Sequence, residues 1–162
     1  MTTVFESPIA EWEYPIYVSY RVRDRKSVFV AHASILRTSL QLQTFLDCLA
    51  EQPSLKRATH CMYAYQIAPS SSELSQKLRG QHDGGERGSG ERLSRLLEML
   101  ECDNVVVVVS RWYGGVKLGS DRWKLISGVA KEALARGRFG KDKISESHVT
   151  VVPTKRNTKR KK

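Results

Sequence analysis

Residues 103–120 read DNVVVVVSRWYGGVKLGS. Five valines in a row, 105–109, predict a strand buried on both faces, because β-branched side chains suit a pleated surface and no polar residue interrupts them. The run gives way at once to Ser110, Arg111, Trp112, Tyr113, Gly114 and Gly115. A buried strand that delivers an arginine and two aromatics into a glycine-rich turn presents a binding surface on a rigid element. The plainer alternative is a strand, a turn and a packed aromatic pair. A second glycine-rich loop just upstream, DGGERGSG at residues 83–90, favours the first.

On both sides of the valine strand the apolar period is helical. Leu93, Leu96, Leu97 and Leu100 share a face and predict a helix from about residue 91. Ile126, Val129, Ala130, Ala133 and Leu134 predict another over 121–136, with Ser120 placed to cap it and Asp121 suited to the positive end of its dipole. Upstream, residues 16–22, 27–35 and 60–68 have strand character. Leu42, Phe45, Leu46 and Leu49 form one stripe of a helix over 39–51, which Pro53 stops. Residues 69–90 read as a long polar loop, and 149–152 as a short terminal strand. The order ββαβαβα predicts an α+β two-layer sandwich, one sheet with helices on one face. The parts are an extended arm over 1–15, a domain over 16–153 and a disordered basic tail over 154–162.

The chain has 162 residues and a net charge of +10. Six of those charges, Lys155, Arg156, Lys159, Arg160, Lys161 and Lys162, sit in the tail, which leaves about +4 for the rest. Such a tail attracts RNA, ribosomes or other anionic surfaces, serves as a nuclear address, or merely solubilises the chain. No apolar run approaches the roughly 20 residues that span a bilayer, and the acidic N-terminus is not a signal peptide. A cytoplasmic protein without membrane contact is expected, with the nucleus as second location. Cys48, Cys61 and Cys102 form no CxxC pair, so they read as buried reduced thiols rather than zinc ligands.

Glycine-rich loops that feed helix N-termini are natural anion sites, because unpaired N–H groups and the helix dipole point outward. Two such loops occur here, 84–90 and 114–120, with Arg87, Arg92, Arg111 and Lys117 as counter-charge and Glu86 opposing an anion. Neither is a phosphate loop or a dinucleotide fingerprint: Gly119 precedes Ser120 rather than Lys, and Gly90 precedes Glu91, Arg92 and Leu93. Both loops are expected at one end of the sheet. A close Arg111–Glu86 pair there would mean that the loops brace each other and leave no anion pocket. Enzymatic patterns are poor. Ser89 is generic, the four histidines are scattered without metal spacing, and His32 and His60 read as sheet residues. Asp83 and Glu86 near His82 read as turn formers. No catalytic residue, metal or cofactor is assigned. Trp112 and Tyr113, flanked by Arg111 and Lys117, suit either a protein hot spot or base stacking.

Four stretches carry a family resemblance. They are Asp24-Arg25-Lys26-Ser27-x-Phe29-x-Ala31-His32; Ala58-Thr59-His60-x-x-Tyr63-Ala64-Tyr65; Asp83-x-Gly85-Glu86-x-x-x-Gly90-x-Arg92-Leu93; and Asn104-Val105 through Ser110-Arg111-Trp112-Tyr113-Gly114-Gly115-x-x-Leu118-Gly119-x-Asp121-Arg122. Their order resembles the IMPACT family, whose bacterial members include the YigZ type, over roughly residues 20–138. The SRWYGG and GxDR forms look like its eukaryotic branch. The resemblance implies a fold similar to domain 2 of ribosomal protein S5 and a non-enzymatic role in translation control. Eukaryotic relatives bind the large ribosome-associated activator of the amino-acid-starvation kinase and so restrain phosphorylation of translation initiation factor 2 alpha; some bind actin. The family also implies an RWD domain ahead of this one in eukaryotic regulators and a ferredoxin-like domain after it in bacterial relatives. Here a short arm and a basic tail stand in those places, and Gly84 replaces a usual second Asp.

The expected partner surface therefore comprises Asp83, Gly85, Glu86, Gly90, Arg92, Arg111, Trp112, Tyr113, Gly114, Gly115, Lys117, Asp121 and Arg122. The alternative is RNA or ribosome binding through the tail and the RWYGG loop; an uncharacterised enzyme is the third class.

Overall fold

The computed structural model describes residues 11–70 and 76–140. Six strands form one antiparallel sheet: β1 (Tyr17–Val18), β2 (Val22–Asp24), β3 (Ser27–Ile35), β4 (His60–Ile67), β5 (Leu78–His82) and β6 (Val105–Trp112). Their order is β1-β3-β6-β4-β5, with β2 beside β1 on the outer edge of β3. Three α-helices accompany them: α1 (Leu42–Ala50), α2 (Ser89–Met99) and α3 (Asp121–Arg136). The fold class is the expected α+β sheet with helices packed on it.

The valine strand is central, and all five valines are fully buried. Strand alternation divides them between two cores. Val105, Val107 and Val109 join Phe29, Ala31, Met62 and Ala64 under α2 and α3. Val106 and Val108 join Val30, Phe45, Leu49 and Leu55 on the opposite face. The expectation of helices on one face is therefore corrected: α1 lies on the second face, with Trp12 from the arm and Ile16 beside it. A strand that is apolar on both sides needs cover on both sides, and α1 supplies the second.

Two boundaries also differ. The strand expected over 16–22 is split into β1 and β2, with buried Ser19 between them donating its hydroxyl to the carbonyl of Tyr20 and accepting the N–H of Ala31. The long polar loop contains β5, which pairs with β4 from Tyr63↔His82 to Ile67↔Leu78. Of the three cysteines only Cys102 is buried; Cys48 is half-buried and Cys61 exposed. Most of the arm, the terminal strand at 149–152 and the basic tail lie outside the described residues.

Candidate functional site

Antiparallel pairing brings the C-terminal ends of β5 and β6 and the N-terminal ends of β3 and β4 to one end of the sheet. Arg111 stands opposite Phe29 on β3 and His60 on β4. Three connections meet above this end: the β2–β3 turn, the loop from β5 to α2, and the loop from β6 to α3. The two glycine-rich loops thus share an end, as expected from the sequence.

Asp83 organises the first of them. Its carboxylate accepts the N–H groups of Gly88 at 3.1 Å and Gly90 at 2.8 Å, while its carbonyl accepts the N–H of Glu86 and the hydroxyl of Ser89. It therefore closes the loop and satisfies donors at the start of α2. Those N–H groups hold the Asp83 carboxyl below the usual carboxylate range. Gly84 has φ +57, and a Cβ there would stand 1.9 Å from the carbonyl oxygen of Cys61. The loop lies directly on β4, and His60 Nδ1 contacts the Gly84 carbonyl at 3.1 Å.

This loop delivers Glu86 inward. Glu86 and Arg111 side chains are only 7% and 5% exposed, and Arg111 Nη1 donates to Glu86 Oε2 at 2.6 Å. Arg122, at the start of α3, places Nε 2.8 Å from Glu86 Oε1. His60 Nε2 stands 3.9 Å from the same carboxylate. Glu86 therefore ties the first loop to β6, to α3 and to β4. The sequence reading had Glu86 opposing an anion; burial between two guanidiniums makes it an internal counter-ion instead.

Arg111 is further fixed by Ser27 Oγ, which accepts from Nη2 at 3.3 Å, and by the rings of Phe29 and Tyr113 at 5.2 and 5.4 Å. The second loop is anchored where Tyr113 N–H donates to Thr59 Oγ1 and where Gly114 passes over Lys26; a Cβ on Gly114 would stand 1.9 Å from the Lys26 carbonyl oxygen. Arg25 reaches across from the β2–β3 turn to Asp121 at 2.7 Å. Ser120 makes no side-chain cap bond, contrary to the expectation for it, because it already has helical backbone angles.

The expected site residues separate into two sets. Gly85, Glu86, Arg111, Tyr113, Lys117 and Arg122 line one shallow depression of about 460 Å³. The rest stand apart from it. Trp112, one residue after Arg111, points to the other face, packs against the second core and donates from its indole to the Lys56 carbonyl. Arg92 stacks on Trp123 at 4.2 Å. Gly90 backs onto Asp83 and the backbone of His82, and Asp121 is engaged by Arg25. His60, Arg87, Leu118 and Gly119 line the depression but were not singled out as binding residues. Each carries some signal in the sequence: Arg87 as counter-charge in the first glycine-rich loop, Leu118 and Gly119 within the second, and His60 in one of the family stretches. Among the described residues no cluster of His, Cys, Asp and Glu could hold a metal ion, and no helix is long and apolar enough to cross a membrane.

Residues 25–134 match the Impact N-terminal domain model. The chain belongs to the IMPACT family. It is 34% identical over 147 residues to Protein IMPACT of Xenopus laevis, covering 91% of this chain and 46% of that protein. With Protein IMPACT of Rattus norvegicus it shares 39% over 133 residues, 82% of this chain and 41% of the other. The chain thus spans less than half the length of these relatives. The structure of the two-domain translational regulator Yih1 aligns with a TM-score of 0.53 and 31% identity, over 84% of this chain and 52% of that one. A crystal structure of a hypothetical protein, at TM-score 0.60 and 21% identity over 75% of this chain and 61% of that one, shares the fold.

Proposed function

We propose that this IMPACT-family chain acts in translation control by protein binding, without catalysis, and restrains the starvation-kinase pathway that acts on translation initiation factor 2 alpha. The observation that carries the reading is the 31% identity to the translational regulator Yih1 over 84% of this chain. The end of the sheet built by residues 83–90 and 111–122 is the proposed contact surface, centred on Tyr113, which is exposed beside buried Arg111. Aromatic anchors next to arginine carry a disproportionate share of interface energy. The activator of the starvation kinase is the favoured partner, with actin as a second protein partner, in the cytoplasm.

The test is affinity capture from cell extract with and without RNase. RNase-resistant recovery of a large translation regulator, reduced by Tyr113→Ala and retained after deletion of residues 155–162, is expected. RNase-sensitive recovery of ribosomes, lost on that deletion, would replace this reading with RNA or ribosome binding.

A further inference from the structure

The close Glu86–Arg111 pair braces the two loops, the arrangement expected from the sequence to leave no anion pocket between them; it neutralises buried Arg111, but Arg87, Lys117 and Arg122 still line the depression above it. Arg87, Arg111, Lys117 and Arg122 all line the depression, and Glu86 is the single carboxylate among its lining residues. Among the lining residues four cations face one acid, a formal surplus of three positive charges, with the Asp83 carboxylate behind the loop also interacting with Arg87. A guanidinium carries five N–H donors in a fixed fork. Arg111 uses Glu86 Oε2 and Ser27 Oγ, and Arg122 uses Gly119 O alongside its contact with Glu86. The Nε groups of both arginines are buried and lack an aligned acceptor among the described residues. Arg122 Nε is 2.8 Å from Glu86 Oε1, but its N–H does not point at that oxygen. The donors open to a ligand belong to Arg87, Lys117 and the 31% exposed side chain of Arg122, since Arg111 is only 5% exposed.

The geometry points to a phosphoryl-binding site in this depression, one that receives a single phosphorylated side chain of a protein partner. The inference rests on the protein-binding reading above and names the group that the partner inserts. A phosphoryl group carries a charge near −2 and three acceptor oxygens. It therefore matches a surplus of three cations better than a carboxylate does. Arginine forks engage such oxygens in pairs, and lysine adds a point charge. The start of α3 lies beside the same depression, through Leu118 and Gly119 in its lining, with the N–H groups of Asp121 and Trp123 donating to the carbonyls of Leu118 and Ser120. A nucleic-acid strand fits less well. Its affinity is built from a track of successive phosphates, whereas these cations surround one spot. Exposed Tyr113 lines that spot and offers apolar contact to the residues around a modified side chain.

Titration of the full chain with N-acetyl-O-phosphoserine amide, followed by NMR, tests the site. Saturable shifts are expected for the Arg111 and Arg122 Nε–H signals and for the amides of residues 117–120. The matching aspartate compound should bind at least about tenfold more weakly. Arg87→Ala/Lys117→Ala should weaken phosphoserine binding by a similar factor without lowering the melting temperature, since neither side chain is buried. Absence of saturable shifts, or shifts that persist undiminished in the double variant, would overturn the site. Oligouridylate binding at these residues that strengthens with strand length would overturn the single-group reading in favour of RNA. Capture of the translation regulator that survives the double variant would remove the phosphoryl anchor and leave the proposed function standing. Phosphoserine binding without any such capture would do the reverse.

Discussion

Replacing Glu86 by Gln removes the only carboxylate between two arginines while keeping the shape of the side chain. Arg111 is 5% exposed and Glu86 7%, so the surviving guanidinium has no water to turn to. Breaking a buried pair by removing one partner costs about 3–5 kcal/mol. The glutamine carbonyl still accepts one hydrogen bond, and Arg122 is 31% exposed and can rehydrate, so the lower end applies, about 3 kcal/mol. Total stability of a domain this size is roughly 5–15 kcal/mol. With a urea dependence of about 2 kcal/mol per molar, the unfolding midpoint should fall by about 1.5 M. Removing both charges is a different perturbation. Glu86→Leu/Arg111→Met should be more stable than Glu86→Leu alone, because no buried charge remains uncompensated. The reasoning fails if Glu86→Gln shifts the midpoint by less than about 0.3 M, or if the double variant loses the sum of its single losses.

His32 is buried on the second face with Nδ1 unpartnered, and burial, aided by the charge of Arg21, pushes it down to about 4 from 6.5. The folded state keeps it neutral while the unfolded state protonates it, so stability is full above pH 6.5 and falls by about 3 kcal/mol on the way to pH 4. Urea melts across that range should show the slope, and His32→Val should flatten it; an equal slope in the variant refutes the assignment. Val107→Asp places an unpaired charge at a fully buried position and should abolish the cooperative thermal transition, so an unchanged melting midpoint would contradict the packing of β6. Gly84→Ala must hold φ +57 and drive a Cβ into the Cys61 carbonyl, so it should lose more than the roughly 1–2 kcal/mol of the backbone conformation alone, read as a drop in melting temperature.

The elements with strong periods were legible. The valine run, the stripe 126, 129, 130, 133, 134 and the bounds of α3 follow from side-chain repeats of two and 3.6 residues. β5 was not, because an edge strand reading Leu-Arg-Gly-Gln-His has no buried face of its own, and its Gly80 lies under the ring of Tyr65. The side taken by α1 is fixed by tertiary packing, although the valine run already required cover on both faces. At the site, strand parity alone separates Arg111 from Trp112, and that much could be read from the chain. The role of Glu86 could not. Its partners are 25 and 36 positions away, and a carboxylate in a glycine-rich loop carries no sequence mark that it will turn inward.

That inward turn has a consequence for binding. Each connection above the sheet end is held by a neighbour: Asp83 closes the first loop, Thr59 and Lys26 fix the second, and Arg25 ties the β2–β3 turn to α3. Glu86 then joins the first loop to β6 and α3 from beneath. Arg111 and Arg122 are held in place before any partner arrives, so little side-chain ordering remains to oppose association. The glycines serve this end differently from a phosphate loop. Gly84 and Gly114 let backbone pack on backbone beneath the surface, and the charges are presented by side chains rather than by glycine N–H groups. The sheet end is thus braced from beneath by buried Arg111 and Glu86, with Arg122 at a helix start and an exposed tyrosine at its edge. On the binding role proposed above, variants of Glu86 will change both stability and recognition, whereas exposed Tyr113 and Lys117 allow recognition to be altered while the fold is kept.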